Sequence, residues 1–557
     1  MAPVRLRLAV ALTALLVAAP TGALAAKLTG TSRADRLVGS PQADAIDGRA
    51  GNDTITGLAG NDLLIGGLGA DHLAGGPGND SIGANGDAGR DRIVCGAGSD
   101  VVNADLGDVV ARDCELTSRQ LSTDALAGDE GQHATEVEPD SFAFGNTIVA
   151  TYQVGRIATG GAGAIGFATS SDGARHWRSG LLPGVTSASP QPGPDPRASD
   201  PTVGYDAVHR DWLVATLGIA SDHFEIFVSR SSNGVTWSSP VTARRGNAGS
   251  LDKEWFACDN WPTSPNRGRC YLSYLDLSVG YIATQTSTDG GLTWGAPVQT
   301  SVRPAGDVEP NGAQPLPRPD GSLVVVYAVG AAEDDEGSSA GEAAVENTPL
   351  SAEVLAATST DGGASFAASV HVSDLKAAEV PGMRAPPLPS ADVAADGRLF
   401  VTWGDCRLDT TCESDRIVLS TSADGQSWSA PSPIAPAARG ETQFVPGLAV
   451  NPTASSGAQR LAVVYYGLTT TCAKSVVCPR IDAWLSTSAT GGARWGPPRR
   501  LDAQSMQLGW LPHAGGRFLG DYVSTSYVGS RPVPVFALAV APWGGKLREA
   551  IMALQPG

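Results

Sequence analysis

Eight aspartates recur at a fixed interval near the start of the chain. Asp35, Asp44, Asp53, Asp62, Asp71 and Asp80 stand nine residues apart, and Asp91 and Asp100 resume the interval after two extra residues. Two positions beyond each stands a large aliphatic residue, in order Leu37, Ile46, Ile55, Leu64, Leu73, Ile82, Ile93 and Val102. Carboxylates in phase with an apolar residue form a line on a folded surface while the aliphatic side chains fill a core. A line of carboxylates and turn carbonyls is a set of oxygen ligands for a hard cation, calcium above all. A second set of acids falls at the starts of predicted strands: Glu138, Asp140, Asp200, Asp252, Glu254, Asp307, Glu309, Glu441 and Asp521. Gathered at one mouth, such carboxyls serve as acid and base in glycoside hydrolysis or as ligands for a cation. Taken singly, each is more simply a strand-end cap or a solvated side chain.

The element that must position the first set is a nine-residue turn and strand. Its glycine-rich half makes the turn and its Asp-x-aliphatic half a short strand. The fully matching turns run from Gly48 to Asp53, Gly57 to Asp62, Gly66 to Asp71 and Gly75 to Asp80, with Gly51, Gly60, Gly69 and Gly78 as the inner glycines. Gly39 to Asp44 carries Gln42 at the inner position and Gly30 to Asp35 carries Arg33, so the outermost sites depart from the pattern. The repeat resembles the G-G-x-G-x-D-x-U-x nonapeptide of RTX, or haemolysin-type, proteins, where U is a large aliphatic residue. That resemblance implies a parallel β-roll holding calcium at Asp44, Asp53, Asp62, Asp71 and Asp80 and the turn glycines. Residues 27–118 contain 14 acidic and 7 basic side chains. Without cations, that repulsion and the glycine entropy predict a poorly folded roll. A disordered glycine-rich linker would not keep both the Asp and the aliphatic positions in phase.

A longer repeat organises the rest. Ser287-Thr288-Asp289-Gly290-Gly291-Leu292-Thr293-Trp294 has relatives at Ser170 to Trp177, Ser231 to Trp237, Ser359 to Phe366, Ser422 to Trp428 and Ser488 to Trp495. The acidic position falls at Asp172, Asn233, Asp289, Asp361, Asp424 and Thr490, spaced by 61, 56, 72, 63 and 66 residues. Each copy suits a turn between antiparallel strands, with glycine for positive φ, short polar side chains for the backbone amides, and an aromatic anchor. The six copies resemble the Asp box, or BNR repeat, of sialidase-like β-propellers. The resemblance covers roughly residues 136 to 557 and implies four-stranded blades, with the box away from the face that carries any site. Seven first and second strands accompany six boxes. Seven blades, the last closed by a strand from before Glu138, are favoured over six blades plus an extra segment.

Sialidases set three arginines against the substrate carboxylate, with an Asp acid and a Tyr activated by Glu. The nearest match to their first arginine motif is Arg156-Ile157-Ala158, which lacks the proline. Arg384, Arg517, Tyr522 and Tyr527 are candidate partners, and Glu138 and Glu254 candidate acids, yet no motif fixes any of them. Asp140, Asp200, Glu309 and Asp521 are candidate substrate-binding residues. An acid-rich mouth is a poor field for an anionic sugar.

Composition places the chain outside the cell. Arg5 and Arg7, the apolar run from Leu8 to Ala19 and Ala23-Leu24-Ala25 predict a secretory signal peptide cleaved after Ala25, too short in its apolar part to span a bilayer. Removing its two positive charges takes the net charge from −18 to −20, which excludes nucleic acid and anionic lipid as general partners. Eight cysteines form four close pairs, Cys95 with Cys114, Cys258 with Cys270, Cys406 with Cys412 and Cys472 with Cys478, and predict disulfides. No Cys-x-x-Cys spacing supports zinc. Gly161 to Gly166 fits G-x-G-x-x-G by letter, but a strand and a box follow it, so it predicts a hairpin and no dinucleotide. The acidic insertion Glu333-Asp334-Asp335-Glu336 predicts a solvated loop. Serine-hydrolase and zinc-peptidase motifs are absent, and His513 is taken as structural. The predicted layout is an all-β protein: signal peptide 1–25, β-roll 26–115, linker 116–136 and propeller 137–557. The predicted function is a secreted calcium-binding protein that recognises glycan or protein at a cell surface, with an exo-glycosidase of sialidase type as the alternative.

Overall fold

The computed structural model describes residues 25–126, 131–302, 308–330, 350–454, 459–472 and 477–556. The residues before Ala25, where a signal peptide is predicted, Asp307 and the acidic stretch Glu333 to Glu336 lie outside them. Apart from one 3-10 turn at Leu508–Trp510, every described regular element is a strand.

The nonapeptides wind into two parallel ladders, because alternate repeats fall on opposite sides. One ladder runs Arg36–Val38, Thr54–Thr56, His72–Pro77, Arg92–Ala97 and Val109–Val110, and the other Lys27–Thr29, Ala45–Asp47, Leu63–Ile65, Ser81–Ala84 and Val101–Ala104. Arg36 pairs with Thr54 and Ala45 with Leu63, an offset of two nonapeptides. Ile46, Ile55, Leu64, Leu73, Ile82, Ile93 and Val102 are buried between the ladders. Turns of one ladder stack in backbone contact: a Cβ on Gly69 would lie 2.0 Å from the Gly51 carbonyl oxygen, at φ +135. Only glycine fits there.

The longer repeat builds antiparallel four-stranded units. The first comprises Gln132–Phe144, Thr147–Arg156, Ala162–Ser170 and Arg178–Leu181. The second comprises Arg197–Asp206, Asp211–Ile219, His223–Ser231 and Val241–Asn247. Third to sixth units begin at Leu251–Cys258, Pro310–Pro317, Ser390–Val393 and Glu441–Val450. Ser524–Val528, Arg531–Ala539 and Glu549–Gln555 follow as three strands of a further unit. First strands lie beside one another in chain order, and Ser524–Val528 returns against Gln132–Phe144, so the units form a ring. Ring closure hides the strand edges that an open sheet would expose.

The fourth strand of the last unit is Leu116–Gln120, antiparallel to Glu549–Gln555. This differs from the polar linker predicted over 116–136. Leu116, Thr117 and Ser118 are buried, and the strand also pairs in parallel with Val101–Ala104 of the roll. One strand therefore belongs to both halves of the molecule; a closing strand from before Glu138 is expected from the sequence, but not its place inside the predicted linker or its pairing with the roll.

Each box works as a staple. Asp289 Oδ1 accepts from the amides of Leu292 and Thr293 at 3.1 and 3.0 Å and from the Ser287 hydroxyl at 2.9 Å. Hydrogen bonds from the Ser365 and Ser359 hydroxyls hold the Asp361 carboxyl down to about 2. The box aromatic packs against the preceding unit: Trp237 of the second unit meets Phe167 of the first, with ring centroids 5.8 Å apart, and Trp294 of the third joins Leu213 and Val228 of the second. All four predicted cysteine pairs are joined as disulfides.

Candidate functional site

The aspartates of the roll form a ladder of their own. Each backbone amide donates to the carboxylate one full turn on: Asp35 to Asp53 at 2.7 Å, Asp44 to Asp62 at 2.8 Å, Asp53 to Asp71 at 2.7 Å, Asp62 to Asp80 at 2.9 Å and Asp80 to Asp100 at 2.7 Å. In every case the acceptor is Oδ1. The second oxygen, Oδ2, of Asp53, Asp62, Asp71, Asp80 and Asp100 is buried and has no hydrogen-bond partner. A row of buried, unpartnered anionic oxygens is costly unless a cation completes it. Burial pushes the carboxyls of Asp71 and Asp80 up to about 6, and that of Asp91 to about 8. These residues fit calcium, and the inner turns supply the carbonyls a hard ion needs.

Asp44, included in the predicted ligand set, differs. Its carboxylate accepts from the Ser40 amide at 2.5 Å, from the Ser40 hydroxyl at 3.0 Å and from the Ala26 amide, so its oxygens are already occupied. Asp35 is likewise taken up by Thr31, at 2.6 Å from its amide. The ladder instead extends further towards the ring, where Asp91 donates to Asp108 at 2.9 Å and Asp100 to Glu115 at 2.9 Å. Asp108 and Glu115 stand outside the nine-residue period, and their role became visible only in the folded register.

The second acid set is aimed by a backbone device. The first strands of the first, second, third, fourth and sixth units each carry a register shift near the same point. At these bulges Glu138, Asp200, Lys253, Gly312 and Val445 adopt φ of 52, 50, 46, 66 and 50. A bulge turns one side chain out of the pleat, and a non-glycine residue at positive φ costs about 1–3 kcal/mol. Three consecutive units thus present Glu138, Asp200 and Lys253 to the ring centre.

There they meet Asp521 and Arg384. Lys253 Nζ lies 2.6 Å from Asp521 Oδ2, 3.1 Å from Asp200 Oδ1 and 3.6 Å from Glu138 Oε1. Arg384 embraces Asp521 through Nη2 at 2.6 Å and Nε at 3.1 Å. Although burial opposes it, these two cations hold the Asp521 carboxyl well below the usual range. Glu138, hydrogen-bonded by Gln153, is pushed up to about 8 by burial, against the pull of Lys253 and with Asp521 and Asp200 adding to the rise. Arg156 donates to Gln153 Oε1 at 2.9 Å and lies over the Phe518 ring, 4.6 Å from its centroid, with Arg384 at 5.1 Å. Glu254 is fully buried with neither oxygen hydrogen-bonded, and burial raises its pKa well above the carboxylate range. With Trp255 and Tyr522 it lines a cavity of about 20 Å³, room for a single water.

The acid-rich mouth predicted from sequence is therefore a buried cluster of mixed charge, because Lys253, Arg156 and Arg384 interleave with the carboxylates. Arg156 and Arg384 converge on Phe518, but Arg517 turns away and donates to the Leu511 carbonyl at 2.8 Å. The Tyr522 hydroxyl donates to the Pro201 carbonyl at 3.2 Å. Asp140 is a strut between units, accepting from the Val203 amide at 2.8 Å, as Asp392 does from Val450 at 2.6 Å. Glu441 accepts from the Ala438 amide at 2.6 Å, Asp252 faces Asn311 at 3.3 Å, and Glu309 is exposed at a strand start. Tyr527 is buried in the first strand of the last unit, and His513 is exposed. Sequence reasoning missed Lys253, whose only signal was a lone base among repeated acids.

A larger cleft of about 590 Å³ opens where the roll meets the last unit. Arg49 and Asn85 line it from the roll, and Gln504, Gln507, Trp543 and Arg548 from the ring side. Arg548 clamps the two halves by donating to the Gly86 carbonyl at 2.8 Å. Trp543 is 45% exposed there.

Comparison with known proteins agrees with the roll. Residues 29–64, 48–82 and 84–110 match the RTX calcium-binding nonapeptide repeat. No curated protein sequence matches the chain. Among solved structures, the chain is similar to a PL25 ulvan lyase bound to a glucuronate–sulfated rhamnose unit, at 12% identity and TM-score 0.45 over 77% of this chain and 96% of that one. It is also similar to the α-L-arabinofuranosidase of Fusarium graminearum with arabinobiose, at 14% identity and TM-score 0.40 over 69% and 98%. A third is the Trypanosoma rangeli sialidase in complex with sialic acid, at 12% identity and TM-score 0.35 over 80% and 57%. Among the described residues, no helix is long and apolar enough to cross a membrane.

Proposed function

We propose that the chain is a secreted, calcium-dependent binding protein. Residues 1–25 are a signal peptide, residues 26–115 a calcium-loaded roll, and the ring a seven-bladed propeller that recognises glycan or protein at a cell surface. The observation that carries this reading is the row of five buried Oδ2 atoms, which calcium would satisfy and which have no hydrogen-bond partner among the described residues. The cleft beside Trp543 supports glycan as the ligand. An exposed indole offers a stacking face for a sugar ring, and the cleft volume lies in the range of small-ligand sites, about 300–1,000 Å³. Through Leu116–Gln120, shared by roll and last blade, calcium would govern the shape of that cleft.

The test is binding of the purified chain to a printed set of cell-surface glycans, with calcium and with chelator. Binding in calcium, lost in chelator and weakened about tenfold or more in Trp543→Ala, is expected. Equal binding with and without calcium overturns the proposal.

A second reading is an exo-glycosidase of sialidase type, favoured by Arg156 and Arg384 over one ring beside Tyr522 and a buried Glu254. Against it, the central cavity has room for only one water and the cluster's charges are already paired. Turnover of a fluorogenic sialoside, abolished in Arg156→Ala or Tyr522→Phe, would establish this reading over the first.

A further inference from the structure

In the second unit, on the face where first strands begin, three side chains of metal-ligand type meet. His223 opens the strand His223–Ser231, and Glu225, two residues on, points to the same side. Asp195 enters from the loop that leads into Arg197–Asp206. The His223 Nε2 atom lies 3.2 Å from Asp195 Oδ1 and 3.4 Å from Glu225 Oε1. Asp195 is fully buried, and neither of its oxygens, nor His223 Nε2, makes a hydrogen bond. The other ring nitrogen of His223 is 2.7 Å from the Asp222 carboxylate, which accepts the Nδ1 hydrogen bond and leaves Nε2 as the ligand atom when the ring is neutral. Three potential ligand atoms face one point. Gly218 makes the room, since a Cβ there would sit 2.2 Å from Asp195 Oδ2.

We propose that Asp195, His223 and Glu225 form a zinc site, separate from the calcium ladder. The ligand atoms lie within 4.8 Å of one another. Two atoms each about 2.1 Å from a tetrahedral ion stand about 3.4 Å apart, which is the spacing of Nε2 from the two carboxylates. An imidazole with two carboxylates suits zinc better than calcium, which takes six to eight oxygens. Asp222 is the outer partner that orients a metal-bound histidine. Glu225 Oε2 is held by the Thr242 hydroxyl at 3.1 Å, which leaves Oε1 for the ion. The His223 side chain is 14% exposed, so an ion can enter and a water can take the fourth position. Bound zinc would pin the loop carrying Asp195 to the unit whose first strand delivers Asp200 to the ring centre. The second acid–cysteine grouping, Asp206 with Cys258 and Cys270, offers no site because its sulfurs are joined to each other.

The experiment strips the full secreted chain of metal, restores saturating calcium, and then measures zinc uptake by elemental analysis and by titration. One zinc per chain is expected in addition to calcium, absent in Asp195→Asn and His223→Gln and bound about 10–100-fold more weakly in Asp222→Asn. Calcium uptake should be unchanged in all three. Cobalt substituted into the unmodified chain should give the visible bands of a tetrahedral ion, a readout that needs no variant to fold. No zinc uptake by the unmodified chain, or equal uptake by it and by Asp195→Asn, overturns the site and leaves a protonated His223 between the carboxylates.

Discussion

Replacing Asp71 by Asn should change stability in opposite directions with and without calcium. Asp71 Oδ1 accepts from the Asp53 amide at 2.7 Å, a bond an Asn carbonyl keeps. What the substitution removes is the charge, and with it the unpartnered Oδ2. In the calcium-free chain that charge is a burden: burial, with Asp53, Asp87 and Asp108 nearby, pushes the carboxyl from 3.8 up to about 6. Two pH units correspond to about 3 kcal/mol at about 1.36 kcal/mol each, and solvent screening leaves about 1–2 kcal/mol. Asp71→Asn should therefore stabilise the roll by about that much in chelator near pH 8. In calcium the same change removes a charged ligand and should weaken binding about tenfold, a loss of about 1.4 kcal/mol. Urea unfolding of the full chain in both buffers, followed by circular dichroism, reads the two effects. A variant less stable in both buffers would mean that Asp71 is a structural acceptor only, and the cation argument would fail.

Three further outcomes are expected. Leu58 occupies a glycine position of the nonapeptide at φ +87, so Leu58→Gly should stabilise the roll by about 0.5–1 kcal/mol, the left-handed penalty less the added chain entropy; thermal melts in calcium check it. Lys253→Met should cost the ring about 3–5 kcal/mol in urea, since it leaves Asp521, Asp200 and Glu138 buried without their shared cation, whereas a change under 1 kcal/mol would mean the cluster is solvated. In chelator, the folded roll holds protons on Asp71, Asp80 and Asp91 that the unfolded chain, titrating near 3.8, does not. Its stability should therefore rise as pH falls from about 8 towards about 5, while in calcium the same protons compete with the ion and the trend should reverse.

What the sequence reveals depends on how local the physics is. The aliphatic and Asp positions of the roll are fixed by a period of nine, so the core from Ile46 to Val102 and the line of aspartates were legible in advance. The box staples were legible for the same reason, as Asp289 bonds only to residues within four positions of itself. Asp44 escaped because Ser40 and Ala26 compete for its carboxylate in a way the repeat does not encode. That a strand from before Glu138 closes the ring is expected from the sequence, but its location at Leu116–Gln120 escaped, because that polar stretch follows neither period and its partners, Val101–Ala104 and Glu549–Gln555, belong to different halves of the molecule. The ring centre was half legible: acids at strand starts are visible, but the bulges that aim Glu138, Asp200 and Lys253 at one another are set by backbone register. Asp195, His223 and Glu225 meet through tertiary packing, and His223 alone carries no motif.

Hydrogen exchange on the full chain during calcium titration tests the central claim most directly. If calcium completes the Asp ladder and the roll templates Leu116–Gln120, amides of the roll strands, of Leu116–Gln120 and of its partner Glu549–Gln555 should gain protection together as calcium rises, while the third and fourth units stay unchanged. Protection of the roll that is already complete in chelator, or that does not change at millimolar calcium, would contradict it.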